Sequence, residues 1–234
     1  MNLLKLKIAH RGIFDNQTII ENSLPSFQRA IRYCIPIELD VQLTKDHQLV
    51  VFHDASLKRM TGLERYLEDI PVEELKKYFL LSTKEKVPTL EDVLKLISGK
   101  VPIIIELKGN NKDNILAKEV LNTLRSYSGE VALQSFQPSV VKYLKKNSTY
   151  PVGLLITYFP SSKFYSYLMS SSFLIRYCNP DFLAINKKII TKKRIQGYRK
   201  KYPFFVWTID SLDEYLNFFA YADSFICNNL PYLM

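Results

Sequence analysis

Short runs rich in Val, Ile, Leu and Phe alternate along this chain with segments whose apolar residues recur at helical spacing. Eight runs read as strands: KIAH (7–10), IELDVQL (37–43), VPIIIEL (101–107), VALQSF (131–136), VGLLITY (152–158), FLAIN (182–186), FFVWTI (204–209) and SFICN (224–228). Between most of them lie helix patterns, beginning with SLPSFQRAIRYC, where Ser23 is placed to cap the N-terminus and Pro25 suits the first turn. TLEDVLKLI, NILAKEVLNTLRSY, SVVKYLKKN, the stretch from Ser161 to Cys178, TKKRIQGYRKKY and SLDEYLNFFAYA follow. Eight strands alternating with helices predict an α/β fold, a (β/α)8 TIM barrel. A doubly wound open sheet is the second choice, but no G-x-G-x-x-G turn follows the first strand and the chain has only seven glycines.

One run breaks the alternation. LVVFHD (49–54) follows IELDVQL after the polar turn TKDHQ, which is too short for a parallel crossover, so the two predict an antiparallel hairpin. Residues 55–88 mix charge, turn residues and short helical pattern, and predict a small excursion over the barrel mouth. No linker-like stretch interrupts residues 1–234, so a single domain is expected, with the helix after the eighth strand missing or very short.

Composition narrows the class. With 47% hydrophobic and 24% charged residues the chain reads as soluble and globular, and no run approaches the roughly 18 apolar residues of a membrane span. The first residues lack a signal-peptide pattern, which predicts a cytoplasmic protein. Three cysteines, Cys34, Cys178 and Cys227, are widely spaced among apolar neighbours and predict buried thiols. Eight cations between Lys187 and Lys201 contribute to a net charge of +9, but as a helix this segment buries Ile195, Tyr198 and Tyr202 and spreads its charge around the rest of the wheel. A solvated face is the reading, with no nucleic acid as partner and a weak attraction to anionic membrane surface as the minority alternative.

The chemistry gathers at the predicted C-terminal strand ends, where such barrels carry their sites. Glu38 and Asp40 are two apart on one strand and so share a face. Two carboxylates that close repel, raise a pKa or are bridged by a hard cation such as magnesium or calcium. The other strand ends carry His10 and Arg11, Glu106 and Lys108, Gln134, Trp207 and Asn228, and His53 closes the hairpin. His47, at the hairpin tip, reads as an exposed turn residue.

HRG followed by EN, then ELDVQLTKD, VVFHD, IELK and a late VWT resemble the glycerophosphodiester phosphodiesterase family over almost the whole chain. The resemblance implies a barrel related to phosphatidylinositol-specific phospholipase C and a metal-dependent hydrolysis of glycerophosphodiesters to glycerol 3-phosphate and an alcohol. It places Glu38, Asp40 and Glu106 as ligands of one divalent cation, magnesium or calcium with manganese as a third option, and His10 and His53 as the acid-base pair. Arg11, Lys108, Gln134 and Trp207 stand as substrate-binding candidates. Two alternatives remain open: a phospholipase of the C or D type acting on lyso- or intact lipids, and an inactive barrel that only binds glycerophosphate.

Overall fold

The computed structural model describes residues 6–109, 112–158, 161–162, 166–168, 170–228 and 230. In chain order its strands are β1 (Lys7–His10), β2 (Ile37–Leu43), β3 (Leu49–Val51), β4 (Ile103–Leu107), β5 (Val131–Ser135), β6 (Val152–Ile156), β7 (Phe182–Asn186), β8 (Phe204–Ile209) and β9 (Ser224–Cys227). The described helices are α1 (Leu24–Arg32), α2 (Lys58–Thr61), α3 (Val72–Leu75), α4 (Leu90–Ile97), α5 (Ile115–Leu124), α6 (Pro138–Asn147), α7 (Ser172–Cys178), α8 (Lys187–Ile190), α9 (Lys193–Gln196) and α10 (Leu212–Phe218). The fold class is the (β/α)8 barrel: eight parallel strands alternate with helices, and β3 is an added antiparallel strand.

The chain divides into two compact units. In the unit Arg11–Glu130, β2 pairs parallel with β4 and antiparallel with β3, Val41 opposite Val51 and Leu43 opposite Leu49, which is the expected hairpin. Its tip is polar and local: the Gln48 N–H donates to Thr44 Oγ1, and His47 is exposed in the left-handed region at φ 58°. α1 begins as expected, with Ser23 and Ser26 closing a reciprocal cap and Pro25 in the first turn. Residues 55–88 bury Leu57, Met60, Leu67, Ile70, Leu75 and Leu80 against Ile20, Val50 and Phe52, so this segment carries an apolar core of its own.

In the second unit, β5, β6, β7, β8, β9 and β1 run in that order as parallel neighbours. Gly153 on β6 lets the Phe182 ring of β7 lie where a Cβ would stand, 2.2 Å away. That ring stacks on Phe205 with centroids 4.5 Å apart.

Two details differ from the sequence reading. The basic segment is not one helix; α8 ends at Ile190, α9 is a single turn, and Gly197–Lys200 winds as a 3₁₀ turn. Gly197 has no side chain to hold a longer helix there. The expected burial of Ile195 and Tyr202 is observed, Tyr198 is only half-buried, and Lys192, Lys193, Arg194, Lys200 and Lys201 are exposed. Cys178 and Cys227 are buried thiols, but Cys34 is exposed, because it follows α1 in a left-handed turn at φ 54° that faces away from the core. Parts of 159–169 and residues 231–234 lie outside the described residues, and with them parts of the expected 161–178 helix and anything after Leu230.

Candidate active site

Parallel pairing of β2 with β4 puts Asp40 directly opposite Glu106, while Glu38 projects from the same face of β2 two residues earlier. All three carboxyls are buried, and one oxygen from each lies within 4.8 Å of the others. Such a group is unfavourable as bare anions. Burial, then repulsion from Asp40 and Glu106, pushes the Glu38 carboxyl well above its ordinary range. Glu106 is pushed up to about 7 by burial, with the Lys108 charge working against this and Asp40 adding to it. Three hard oxygen donors that hold each other's protons on are what a divalent cation would relieve, so the donor set fits magnesium, calcium or manganese and is ill-suited to softer ions.

Cationic side chains surround the cluster. Lys108 Nζ stands 3.1 Å from Glu106 Oε1 and 3.6 Å from Asp40 Oδ1. Burial pushes the Lys108 amine down, but Glu106 and Asp40 together win and raise it, so it is an ammonium. Arg11 sits in the left-handed region at φ 56°, followed by Gly12 at φ 83°. A Cβ on Gly12 would come within 2.4 Å of Ser26 Oγ, so this turn requires glycine both for its φ and for the close approach of α1. The turn aims the Arg11 backbone N–H at Glu38 Oε2, 3.2 Å away, and brings its guanidinium Nε to 3.3 Å from Asp40 Oδ2. Asn22 donates to the same Asp40 oxygen at 2.9 Å, and its own N–H is fixed to the Arg11 carbonyl.

His53 follows β3 and is held through Asp54. Its Nδ1 lies 2.7 Å from Asp54 Oδ1, which leaves Nε2 as the ring atom turned from that bond. Burial lowers the His53 pKa, with the Lys108 and Arg11 charges adding to this, while Asp40 and Asp54 work in the other direction. Gln42, on the Glu38–Asp40 face of β2, donates to the carbonyls of both Phe52 and Asp54 at 2.8 and 3.0 Å and so pins the backbone on which His53 sits.

Sequence reasoning passed over Arg59. Its guanidinium forks onto Asp54 at 2.6 and 3.0 Å and onto Glu21 at 2.8 and 3.1 Å. Glu21 also receives Arg11 Nη1 at 2.7 Å and Asn16 Nδ2 at 2.9 Å. Burial raises the Glu21 carboxyl, but the Arg59 bonds and the Arg11 charge overcome it and hold it at about 2. Asp54 is held at about 2, chiefly by Arg59. One carboxylate thus braces Arg11 and one arginine braces the His53–Asp54 pair. The sequence cue was available only as the cationic Arg59 five residues past Asp54.

Three candidates belong to the unit that contains β5–β9. His10 ends β1, its Nδ1 2.7 Å from Asn228 Oδ1. Gln134 is buried on β5. Trp207, on β8, packs edge-on against Phe136 with ring centres 5.6 Å apart, and its indole N–H is buried with no hydrogen-bond partner among the described residues.

The profile of the glycerophosphoryl diester phosphodiesterase family matches residues 10–221. A glycerophosphodiester phosphodiesterase of Caldanaerobacter subterraneus is 29% identical over 221 residues, covering 89% of this chain and 87% of that protein. Human lysophospholipase D is 32% identical over 165 residues, 64% of this chain and 51% of that protein. A phosphodiesterase of Oleispira antarctica, whose structure holds the product sn-glycerol 3-phosphate, superimposes with a TM-score of 0.83 at 22% identity, over 96% of this chain and 93% of the other. The barrel is therefore shared with phosphodiesterases of known structure, and this chain belongs to the glycerophosphoryl diester phosphodiesterase family of phosphodiester hydrolases.

Proposed function

We propose that the protein hydrolyses small glycerophosphodiesters to glycerol 3-phosphate and an alcohol, by acid-base chemistry between two histidines and with one divalent cation held by Glu38, Asp40 and Glu106. The observation that carries the reading is the buried carboxylate triad ringed by Arg11 and Lys108, in a chain of this family. When bound, the cation would supply positive charge to a phosphoryl oxygen and ease ionisation of a hydroxyl. Arg11 and Lys108 add fixed cationic donors for the non-bridging oxygens, whose charge grows as the new P–O bond forms. Glu21 holds the Arg11 fork in place, so that little reorganisation accompanies the reaction.

His10 serves as base, taking the proton of the attacking hydroxyl, which is water or the substrate's own glycerol hydroxyl; the latter gives a cyclic phosphate that water then opens to glycerol 3-phosphate. His53 serves as acid and donates to the departing alkoxide. The pairing of His53 with Asp54 supports this assignment, because a carboxylate on Nδ1 favours the charged ring that an acid needs and works against the lowering that burial imposes. Gln134 and Trp207 are proposed to line the substrate's path, the Trp207 N–H being a donor with spare capacity. A cytoplasmic location belongs to this proposal. Among the described residues no helix is long and apolar enough to cross a membrane.

A second reading, lipid cleavage of the lysophospholipase D kind, is favoured by the similarity to the human enzyme and by Tyr167 and Phe173, 61% and 69% exposed, in the unit that carries exposed Lys192, Lys193 and Arg194. Incubation with glycerophosphocholine and with lysophosphatidylcholine vesicles separates the two. The proposal expects glycerol 3-phosphate and choline from the first and little turnover of the second. Release of choline from vesicles alone would select lipid cleavage, and release of phosphocholine from either would contradict the bond assignment.

A further inference from the structure

We propose that Asn228 is a positioning residue that fixes His10 as the Nδ1–H tautomer, leaving Nε2 as the unprotonated nitrogen that accepts a proton. The inference deepens the reading of His10 as base and rests on it. β1 and β9 are parallel neighbours with Ala9 opposite Cys227, so His10 and Asn228 are the next residues along this register as the strands end. Asn228 Oδ1 lies 2.7 Å from His10 Nδ1. That contact alone does not identify the tautomer, because an amide can turn its oxygen or its NH2 toward a ring nitrogen.

The second contact of Asn228 removes the ambiguity. Its Nδ2 donates to Asp210 Oδ1 at 2.8 Å, and an ionised carboxylate has no hydrogen to give back. Asp210 is held in that state. Burial works to raise its carboxyl, but hydrogen bonds from Lys187 and Asn228 outweigh it and lower it. Lys187 Nζ is 2.7 Å from Asp210 Oδ2 and is itself fixed by both oxygens of Glu214, at 2.7 and 2.8 Å. Glu214 in turn accepts the Asp210 backbone N–H at 2.8 Å. If the Asn228 amide turned over, its oxygen would face the carboxylate at that distance and repel it. The amide oxygen is therefore committed to His10, and as an acceptor it requires the proton on Nδ1.

The arrangement sets a proton position without placing a charge on the ring's partner. A neutral amide neither stabilises nor opposes the imidazolium as strongly as a carboxylate would, which suits a base that must pick up a proton and release it again. The two histidines thus differ in their Nδ1 partners: an amide oxygen for His10 and a carboxylate for His53. Asp210 and Lys187 act through Asn228, at one and two removes from the ring.

The test reads the ring nitrogens directly, by 15N NMR of histidine-labelled protein, with the three histidines assigned by single substitution. Wild-type His10 is expected as the Nδ1–H tautomer. Asn228→Leu, which cannot accept the bond, should move it toward Nε2–H and lower kcat on glycerophosphocholine by about 10- to 100-fold, the size of effect seen when the hydrogen-bond partner of a metal-ligating histidine is removed, with KM changed much less. Asp210→Asn leaves Asn228 in place but allows its amide to turn, so a mixture of tautomers is expected even if Asn228→Leu folds poorly. A wild-type His10 found as Nε2–H, or an Asp210→Asn protein with the tautomer unchanged, would overturn the proposal. Because the tautomer is read without substrate, an inactive wild-type enzyme with Nδ1–H at His10 would reject the proposed function and leave this inference standing.

Discussion

Asp40 and Glu106 face each other across parallel strands β2 and β4, both buried, and each within reach of the Lys108 ammonium. With Glu38 on the same face, three carboxyls share a space that the Arg11 and Lys108 charges offset only in part, since Glu38 and Glu106 are still raised. Buried anions of one sign lower stability unless a cation joins them. The fold thus carries a local instability at the place where the chemistry is expected, and its relief should be measurable.

Metal-free Glu38→Gln should unfold at the same temperature as the metal-free wild type or higher, because a carboxyl whose ionisation burial, Asp40 and Glu106 all oppose is replaced by a neutral amide. Adding magnesium, calcium or manganese at a hundredfold excess over Kd should stabilise the wild type by about 2.7 kcal/mol, which is roughly 5–10 °C for a chain of this size. The variant should lose most of that rise. Thermal melts with and without chelator check both statements.

Arg59→Gln should lower stability at neutral pH by roughly 1–3 kcal/mol, between the values for exposed and buried ion pairs. Glu21 and Asp54 are both held at about 2, below their unfolded values, so the stability they contribute is present above the ordinary carboxylate range and is lost as pH falls toward 2. The gap between wild type and variant in urea midpoint should therefore be widest near neutrality and close by about pH 2. The same variant should lower kcat, since Asp54 would no longer be clamped beneath His53.

Arg11→Lys keeps the charge and loses the fork that reaches Glu21 and Asp40. A drop in kcat/KM on diesters corresponding to about 2–4 kcal/mol of transition-state stabilisation is expected. An unchanged kcat/KM would mean that this guanidinium only braces the loop.

The two histidines should separate by leaving group. His10→Ala and His53→Ala should both be severely impaired on glycerophosphocholine, whose alkoxide needs a proton. On a glycerophosphate ester of p-nitrophenol, whose leaving group needs none, His53→Ala should recover much of its activity and His10→Ala should not. Recovery by His10→Ala instead would reverse the two roles.

Strand-level features were legible because they rest on local pattern. The period-2 acids of IELDVQL, the short TKDHQ turn and the Ser23–Pro25 helix start each act over a few residues, and the described fold contains all three. The register that sets Asp40 against Glu106 joins positions 66 residues apart and could be inferred only through the resemblance. Arg59 was illegible for the same reason: its partner Glu21 is 38 residues away, and a surface-helix arginine has no distinctive pattern of its own. Asp210 and Lys187, which are linked by hydrogen bonds to Asn228 and through it to His10, are a further case. The basic segment misled in the other direction, because the Ile195–Tyr202 spacing fits a helix that Gly197 does not sustain.

The central claim is that a cation held by Glu38, Asp40 and Glu106 is required for release of glycerol 3-phosphate. The most direct measurement strips the purified protein with chelator, returns magnesium, calcium or manganese singly, and follows glycerol 3-phosphate from glycerophosphocholine in wild type and Glu106→Gln. The account predicts no turnover in the stripped protein, recovery with at least one of the three cations, and no recovery by any of them in Glu106→Gln. Full activity in the stripped wild type, or equal recovery in the variant, would contradict it.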